Sequence, residues 1–282
     1  MQFDEKFIGF VDILGFKDLV KAAEMSAGPT LGDIIEWARE LGSVEDKEAI
    51  ERYGVTICPC APRIKRNVSF EITQISDCVI VSSEISPAGV INLVNHCWGA
   101  VIKLLRHGLM CRGYITKGSI CHRDGILIGS GYEKAYQQES HVSAFKAEAD
   151  ERSTPFVEID RSVVEYVDQS DDACVKEMFS RLVETDGDVT ALFPFKRMAH
   201  SFIIGGFGMK FDPEREKTAV RSMRGSLEKM KALVLSRIDQ NNRSAVSKAG
   251  HYARALDAQL MVCDRTEETI DRLASPVPRR FR

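Results

Sequence analysis

Apolar residues in this chain follow a strand period in some stretches and a helix period in others, and the alternation of the two predicts the architecture. Phe7, Ile8, Phe10, Val11 and Ile13 form a nearly unbroken apolar run, the composition of a strand covered on both faces. Gly15 allows a sharp turn, and Phe16 to Glu24 then takes up helical spacing. Thr30-x-x-Asp33 is a capping-box pattern at the head of a second helix through Leu31, Ile34, Ile35, Ala38 and Leu41. Residues 42–67 are polar and irregular, and Pro59 and Pro62 favour a loop or a short edge strand there. Val68, Phe70, Ile72 and Gln74 alternate with polar neighbours, and Val79-Ile80-Val81 follows a tight turn at Ser76-Asp77, so a hairpin is predicted. Ser86-Pro87 opens a helix whose apolar face runs from Val90 to Leu105, with Gly108 as its stop.

Leu109 to Thr116 and Gly118 to His122 read as two strands, and Ile126-Leu127-Ile128 leads into Gly129-Ser130-Gly131. A polar helix with Ala135, Val142, Phe145 and Ala149 on one side is predicted next, then a strand at Pro155 to Ile159. Ala173, Met178, Phe179, Leu182 and Val183 suit a short helix, and Val189–Phe195 with Ser201–Phe207 a final strand pair. Asp212-Pro213 starts a long helix, Asn241-Asn242 breaks it, and Ala245 to Cys263 forms a second. A hairpin of adjacent strands inside an α/β pattern indicates an α+β fold, a mixed and mostly antiparallel sheet with helices packed on it. The predicted division is a domain at 1–210 and a C-terminal helical extension at 211–282.

Composition narrows the function classes more than it selects among them. The net charge of −3 leaves no basic footprint for nucleic acid or an acidic membrane surface. No apolar run near 18 residues is evident, and Asp4, Glu5 and Lys6 stand where a signal peptide would carry its apolar core, so a cytoplasmic protein is expected. The eight cysteines include no Cys-x-x-Cys pair, and most lie in apolar segments as buried thiols. Gly129-Ser130-Gly131 lacks the third glycine of a dinucleotide fingerprint and reads as a strand-to-helix turn. What remains is a pair of isolated carboxylates, Asp12 inside the first apolar strand and Asp77 at the edge of another. A charge in such a place is costly unless something neutralises it. Either one alone fits a structural cap; a strand, a buried Asp, a glycine turn and a helix start together fit a seat for a divalent cation and phosphates.

Phe10-x-Asp12-Ile13-x-Gly15-Phe16 resembles the first-strand motif of the class III nucleotidyl cyclases, Phe-x-Asp-(Ile/Leu)-x-Gly-Phe. Ser76-Asp77-Cys78-Val79-Ile80-Val81 is similar to their second metal-binding turn and strand, and Arg112-x-x-Ile115-x-x-Gly118 to a later strand, with Tyr114 in place of a glycine. The resemblance covers residues 1 to about 160. It implies a ferredoxin-like palm working as a head-to-tail homodimer with active sites at the interface. It further implies two divalent cations, Mg²⁺ or Mn²⁺, held by Asp12 and Asp77 with the Ile13 backbone carbonyl as a third ligand, and phosphates facing the amides of Leu14, Gly15 and Phe16.

The departures from that pattern bear on substrate. Purine cyclases carry Lys or Glu four residues before the second metal Asp, and this chain has Thr73 there. The second base-reading position falls near Ile126, and the positions of the transition-state Asn and Arg are Glu133 and Gln137. A pocket without the polar partners of a purine rejects purines. Together with Gly129-Ser130-Gly131-Tyr132-x-x-Ala135-Tyr136, these departures resemble the bacterial Pycsar pyrimidine cyclases of anti-phage defence, which implies UTP or CTP as substrate, UTP favoured. Tyr53 is a candidate base contact, equally readable as a packed loop tyrosine. A purine cyclase with a divergent base pocket and a catalytically silent, cyclase-like binding domain are the other readings left open.

Overall fold

The computed structural model describes residues 2–42, 47–48, 68–148, 151–195 and 211–275. The strands are β1 (Asp4–Ile13), β2 (Phe70–Ile75), β3 (Cys78–Glu84), β4 (Cys111–Arg123), β5 (Ile126–Ile128), β6 (Val157–Ile159), β7 (Val183–Asp186) and β8 (Val189–Leu192). The helices of the same unit are α1 (Phe16–Glu24), α2 (Leu31–Arg39), α3 (Pro87–Leu105), α4 (Ser130–Glu139), α5 (Arg161–Asp168) and α6 (Ala173–Ser180). Two compact units are present, Met1–Pro194 and Phe195–Arg282.

In the first unit the sheet order is β2-β3-β1-β4-β6-β8-β7, with β5 paired to β4. Only β4 and β6 run parallel; every other described pairing is antiparallel. The first four strands and their helices give the β-α-β-β-α-β succession with β3 inserted between β1 and β2, the ferredoxin-like arrangement. This is the α+β fold with a mostly antiparallel sheet that the alternation of periods predicts.

β1 is the centre of this sheet because its residues serve two cores at once. Phe7, Val11 and Ile13 belong to the large cluster that includes Leu93, Val94, Cys97 and Leu104 of α3. Ile8 and Phe10 point the other way, into a smaller cluster with Ile80, Ile120 and Ala135. α3 is long and apolar enough to cross a membrane by length and composition alone, and most of it is buried inside the protein. The helix therefore corrects the expectation that no apolar stretch reaches that length. Lys103 falls inside it, and Val90, Leu93, Val94, Cys97, Val101 and Leu104 are buried in the large core with β1.

Local signals held where a side chain satisfies a specific backbone group. The Thr30–Asp33 capping box forms in both directions, and Ser86 caps α3 with Pro87 in its first turn. Ser76 takes positive φ (55°) in the predicted hairpin turn. Three expectations need correction. β4 is one 13-residue strand rather than two, since β1 pairs with it continuously from Asp4↔Ile120 to Ile13↔Cys111. α4 ends at Glu139, and Phe145 lies beyond it with φ of 60°. Val183 is in β7, which pairs with β8, rather than in the helix before it. The other half of the predicted strand pair, 201–207, lies outside the described residues.

The second unit contains α7 (Pro213–Ser236) and α8 (Arg243–Ala274), the latter running eleven residues past the predicted Cys263. Buried Val220, Leu227 and Val234 recur every seven residues, as do Ala249, Leu256, Cys263 and Ile270. Ion pairs Lys217–Asp271, Arg224–Asp264 and Lys231–Asp257 step in opposite directions along the two helices. That register is an antiparallel coiled coil.

α4 comes so close to β4 that glycine is needed on both sides. A Cβ on Gly131 would lie 2.3 Å from Ile8 Cδ1 and 3.0 Å from the Gly118 carbonyl carbon. Gly131→Ala is therefore expected to cost about 1–3 kcal/mol. A urea titration checks this: the midpoint should fall with an unchanged slope.

Candidate active site

Asp12 is the last residue of the β1 face that carries Ile8 and Phe10, and it is half-buried. Its neighbour across β3 is Cys78 and its neighbour across β4 is Arg112. The turn between β2 and β3 brings Asp77 alongside, tied by a hydrogen bond from the Ile13 amide to the Asp77 carbonyl at 3.0 Å. The two carboxyl groups are within hydrogen-bonding reach of each other. The structure thus brings Asp12 and Asp77 together from strands that are 65 positions apart in sequence.

Burial, first, and then the charges of Asp77 and Glu139 push the Asp12 carboxyl up from 3.8 to about 7, while the Arg112 guanidinium opposes them. Two carboxylates this close are costly to ionise together without a cation, and Asp12 is the one that holds its proton toward neutral pH. Burial and the charges of Asp12 and Asp77 push the Cys78 thiol up to about 11, so it is neutral in the cation-free protein. Among the described residues no cluster of three or more His, Cys, Asp or Glu side chains suited to a metal is present. The donor set is two carboxylates plus a backbone oxygen. The Ile13 carbonyl points to the same side as its amide, toward Asp77, and no described donor returns a bond to it. Such a set of hard oxygens suits Mg²⁺ or Mn²⁺, which complete their shells with substrate phosphates.

Behind Asp12, Arg112 donates through Nε to Glu139, the last residue of α4, and through an Nη to Ser153 Oγ at 2.8 Å. Glu139 is buried, and its charge is one of those that raise Asp12. Neither residue is among the predicted site residues. The signal for Glu139 was a carboxylate four positions after Ala135, on the apolar stripe of an otherwise polar helix.

The remaining predicted site residues divide. Gly15 adopts φ of 75° and turns the chain into α1. The amides of Gly15 and Phe16 have no acceptor among the described residues, and Phe16 itself is buried against the large core. The Leu14 amide, by contrast, donates to the Met110 carbonyl at 2.9 Å, so it is engaged inside the fold. Thr73 is half-buried on β2, and its hydroxyl lies 2.8 Å from His122 Nε2. Tyr53 lies outside the described residues. Glu133 and Gln137 are exposed on α4. Lys134, on the same helix, is paired at 2.6 Å with Asp160, which also caps α5 and accepts from the Tyr114 hydroxyl at 3.0 Å.

No family model and no curated protein matches this chain. Among solved structures it is similar to the catalytic core of a rhodopsin-guanylyl cyclase with converted specificity in complex with ATPαS. That match has 13% identity and a TM-score of 0.40, over 68% of this chain and 96% of that one. It is also similar to a bacterial light-regulated adenylyl cyclase, at 17% identity and a TM-score of 0.36, over 60% of this chain and 47% of that one. What establishes the architecture is the strand order and register described above.

The Asp pair has a measurable consequence for stability. Between pH 4 and 7 native Asp12 keeps a proton that the unfolded chain has released, so the unfolded state binds fewer protons there. Stability of the cation-free protein therefore falls as pH rises through this window and levels off above it. Asp12→Asn should raise the melting temperature at pH 7.5 by several degrees, taking ~1 kcal/mol as about 2–4 °C for a chain of this size. At pH 4 it should change little. Differential scanning calorimetry with a chelator present makes the comparison.

Proposed function

We propose that this chain is a metal-dependent nucleotidyl cyclase that converts a pyrimidine nucleoside triphosphate, UTP in preference to CTP, into its 3′,5′-cyclic monophosphate and pyrophosphate. The observation that carries the reading is the crowding of Asp12 and Asp77 at the end of β1, where burial and the Asp77 charge make Asp12 hold its proton. A divalent cation replaces that proton favourably, because it relieves the repulsion that raises Asp12.

In this reading Asp12, Asp77 and the Ile13 carbonyl hold two Mg²⁺ or Mn²⁺ ions. When bound, such ions acidify the ribose 3′-hydroxyl and neutralise the triphosphate. The chain's own groups then place the substrate. The amides of Gly15 and Phe16, at the start of α1, face the phosphates with the positive end of the helix dipole. Arg112 and Glu139 brace Asp12 from behind and fix its direction toward Asp77. The 3′-oxygen attacks the α-phosphorus, the bond to the β-phosphate bridge breaks, and pyrophosphate leaves.

The pyrimidine preference rests on Thr73, which offers one hydroxyl where a purine pocket presents a charged side chain. The proposed assembly is a homodimer with sites at the interface, as the motif resemblance implies. The proposed role of the cyclic product is a second messenger in anti-phage defence, which requires a separate effector that binds it.

Incubating the full-length protein with each of the four ribonucleoside triphosphates and Mn²⁺ tests the reading. Cyclic UMP is expected as the main product, and Asp12→Ala or Asp77→Ala should reduce it at least about 10³-fold, the loss that accompanies removal of a metal-centred stabilisation. A purine-only product would remove the pyrimidine assignment. Full turnover by Asp12→Ala would remove the metal assignment, and no product from any triphosphate would favour a silent binding domain.

A further inference from the structure

On the face of the sheet that carries Asp12, a second polar feature joins three strands. His122, near the end of β4, is 3% exposed. Its Nε2 lies 2.8 Å from Thr73 Oγ1 on β2, and its Nδ1 lies 2.9 Å from Ser82 Oγ on β3. Ser82 is 0% exposed. Both ring nitrogens are thus filled by hydroxyls, and among the described residues no carboxylate hydrogen-bonds to the ring. The charged groups around it are Lys6, Lys47 and Glu71, the last two paired with each other at 2.7 Å. Burial pushes the imidazole down to about 4, so it is neutral and carries a single N–H.

A neutral ring between two hydroxyls gives to one and takes from the other. If Nδ1 carried the hydrogen, the Ser82 hydroxyl would be an acceptor and its own proton would have nowhere to go. Ser82 Oγ has no other partner among the described residues, and a buried donor without an acceptor is costly. The opposite order satisfies both fully buried groups, Ser82 and His122. Ser82 Oγ–H donates to Nδ1, and Nε2–H donates to Thr73 Oγ1. The Thr73 proton then has no acceptor among the described residues and, Thr73 being half-buried, is left for a ligand.

We propose that His122 is a positioning residue that, anchored by Ser82, turns the Thr73 hydroxyl into an outward hydrogen-bond donor selective for a keto oxygen on the base. This rests on the reading of Thr73 as a base contact given above and deepens it. Uracil presents a carbonyl oxygen at the position where cytosine presents an amino group, so an outward donor favours uracil. The same logic applies to the 6-keto and 6-amino groups of guanine and adenine. A valine at position 73, or an apolar ring at position 122, removes the donor or its orientation.

The experiment compares wild type with Thr73→Val, His122→Phe, His122→Gln and the Thr73→Val/His122→Phe double variant. It measures kcat/KM for UTP and CTP, and alongside it the affinity for nonhydrolysable UTP and CTP analogues. The wild-type ratio should favour UTP. Thr73→Val and His122→Phe should each lower that ratio about tenfold or more, and the double variant should lower it no further. His122→Gln, whose amide can still donate to Thr73, should keep most of it. An equal loss for both nucleotides in His122→Phe, the sign of a merely structural histidine, would overturn the proposal. So would additive effects in the double variant, or a wild type that prefers CTP. If His122→Phe does not fold, Thr73→Val and His122→Gln decide alone. If wild type cyclises only purines, the pyrimidine reading fails while this one is decided by the GTP/ATP ratio in the same variants. If it cyclises nothing, the analogue affinities decide, and equal affinities overturn it.

Discussion

Two carboxyl groups forced together at the edge of an apolar sheet are the constraint on which the rest of this unit depends. Asp12 cannot move away, because β1 is paired on both sides and its Ile8 and Phe10 are locked in one core while Phe7, Val11 and Ile13 are locked in another. Asp77 cannot move away either, because its backbone is bonded to Ile13. The repulsion is therefore built in; it is answered by the proton that Asp12 keeps and, in the proposed function, by a cation. Local destabilisation of this kind persists only where the surrounding structure over-determines it.

The surroundings are arranged to keep that pair aimed. Arg112 lies directly across from Asp12 and is held by Glu139 and Ser153, so its guanidinium stays behind the carboxylate without neutralising it. α4 delivers Glu139 only because Gly118 and Gly131 let helix and sheet approach closely. Further along the same face, Ser82, His122 and Thr73 form a second oriented chain. The face thus carries an acidic end and a hydroxyl end, separated by the small apolar cluster around Phe10 and Ile80.

Much of this was legible from residue order. β1, the β2–β3 hairpin, the Thr30 box, the Ser86-Pro87 start and the Asp212-Pro213 start each depend on local chemistry that short spacing reveals. Asp12 and Asp77 stood out because a lone carboxylate in an apolar run demands a partner. The misreadings share a cause, since each turned on pairing between distant segments. Gly118 looked like a break in β4, but continuous pairing with β1 carries the strand through it. Val183 fitted a helical spacing, but pairing with β8 placed it in a strand. His122 gave no signal at all, because its meaning lies in hydroxyls 40 and 49 positions away. The Leu14 amide is engaged by Met110 for the same reason: sequence spacing does not show which backbone group a returning strand will occupy.

In the proposed function a divalent cation displaces the proton that Asp12 holds beside Asp77. Mn²⁺ titration by calorimetry at pH 6.5, in two buffers of different ionisation enthalpy, measures proton release directly. The predicted result is release of roughly three quarters of a proton on saturation, since Asp12 titrates near 7 without a cation, and loss of both tight binding and proton release in Asp12→Asn. Tight Mn²⁺ binding with no proton released, or binding unchanged in Asp12→Asn, would contradict it.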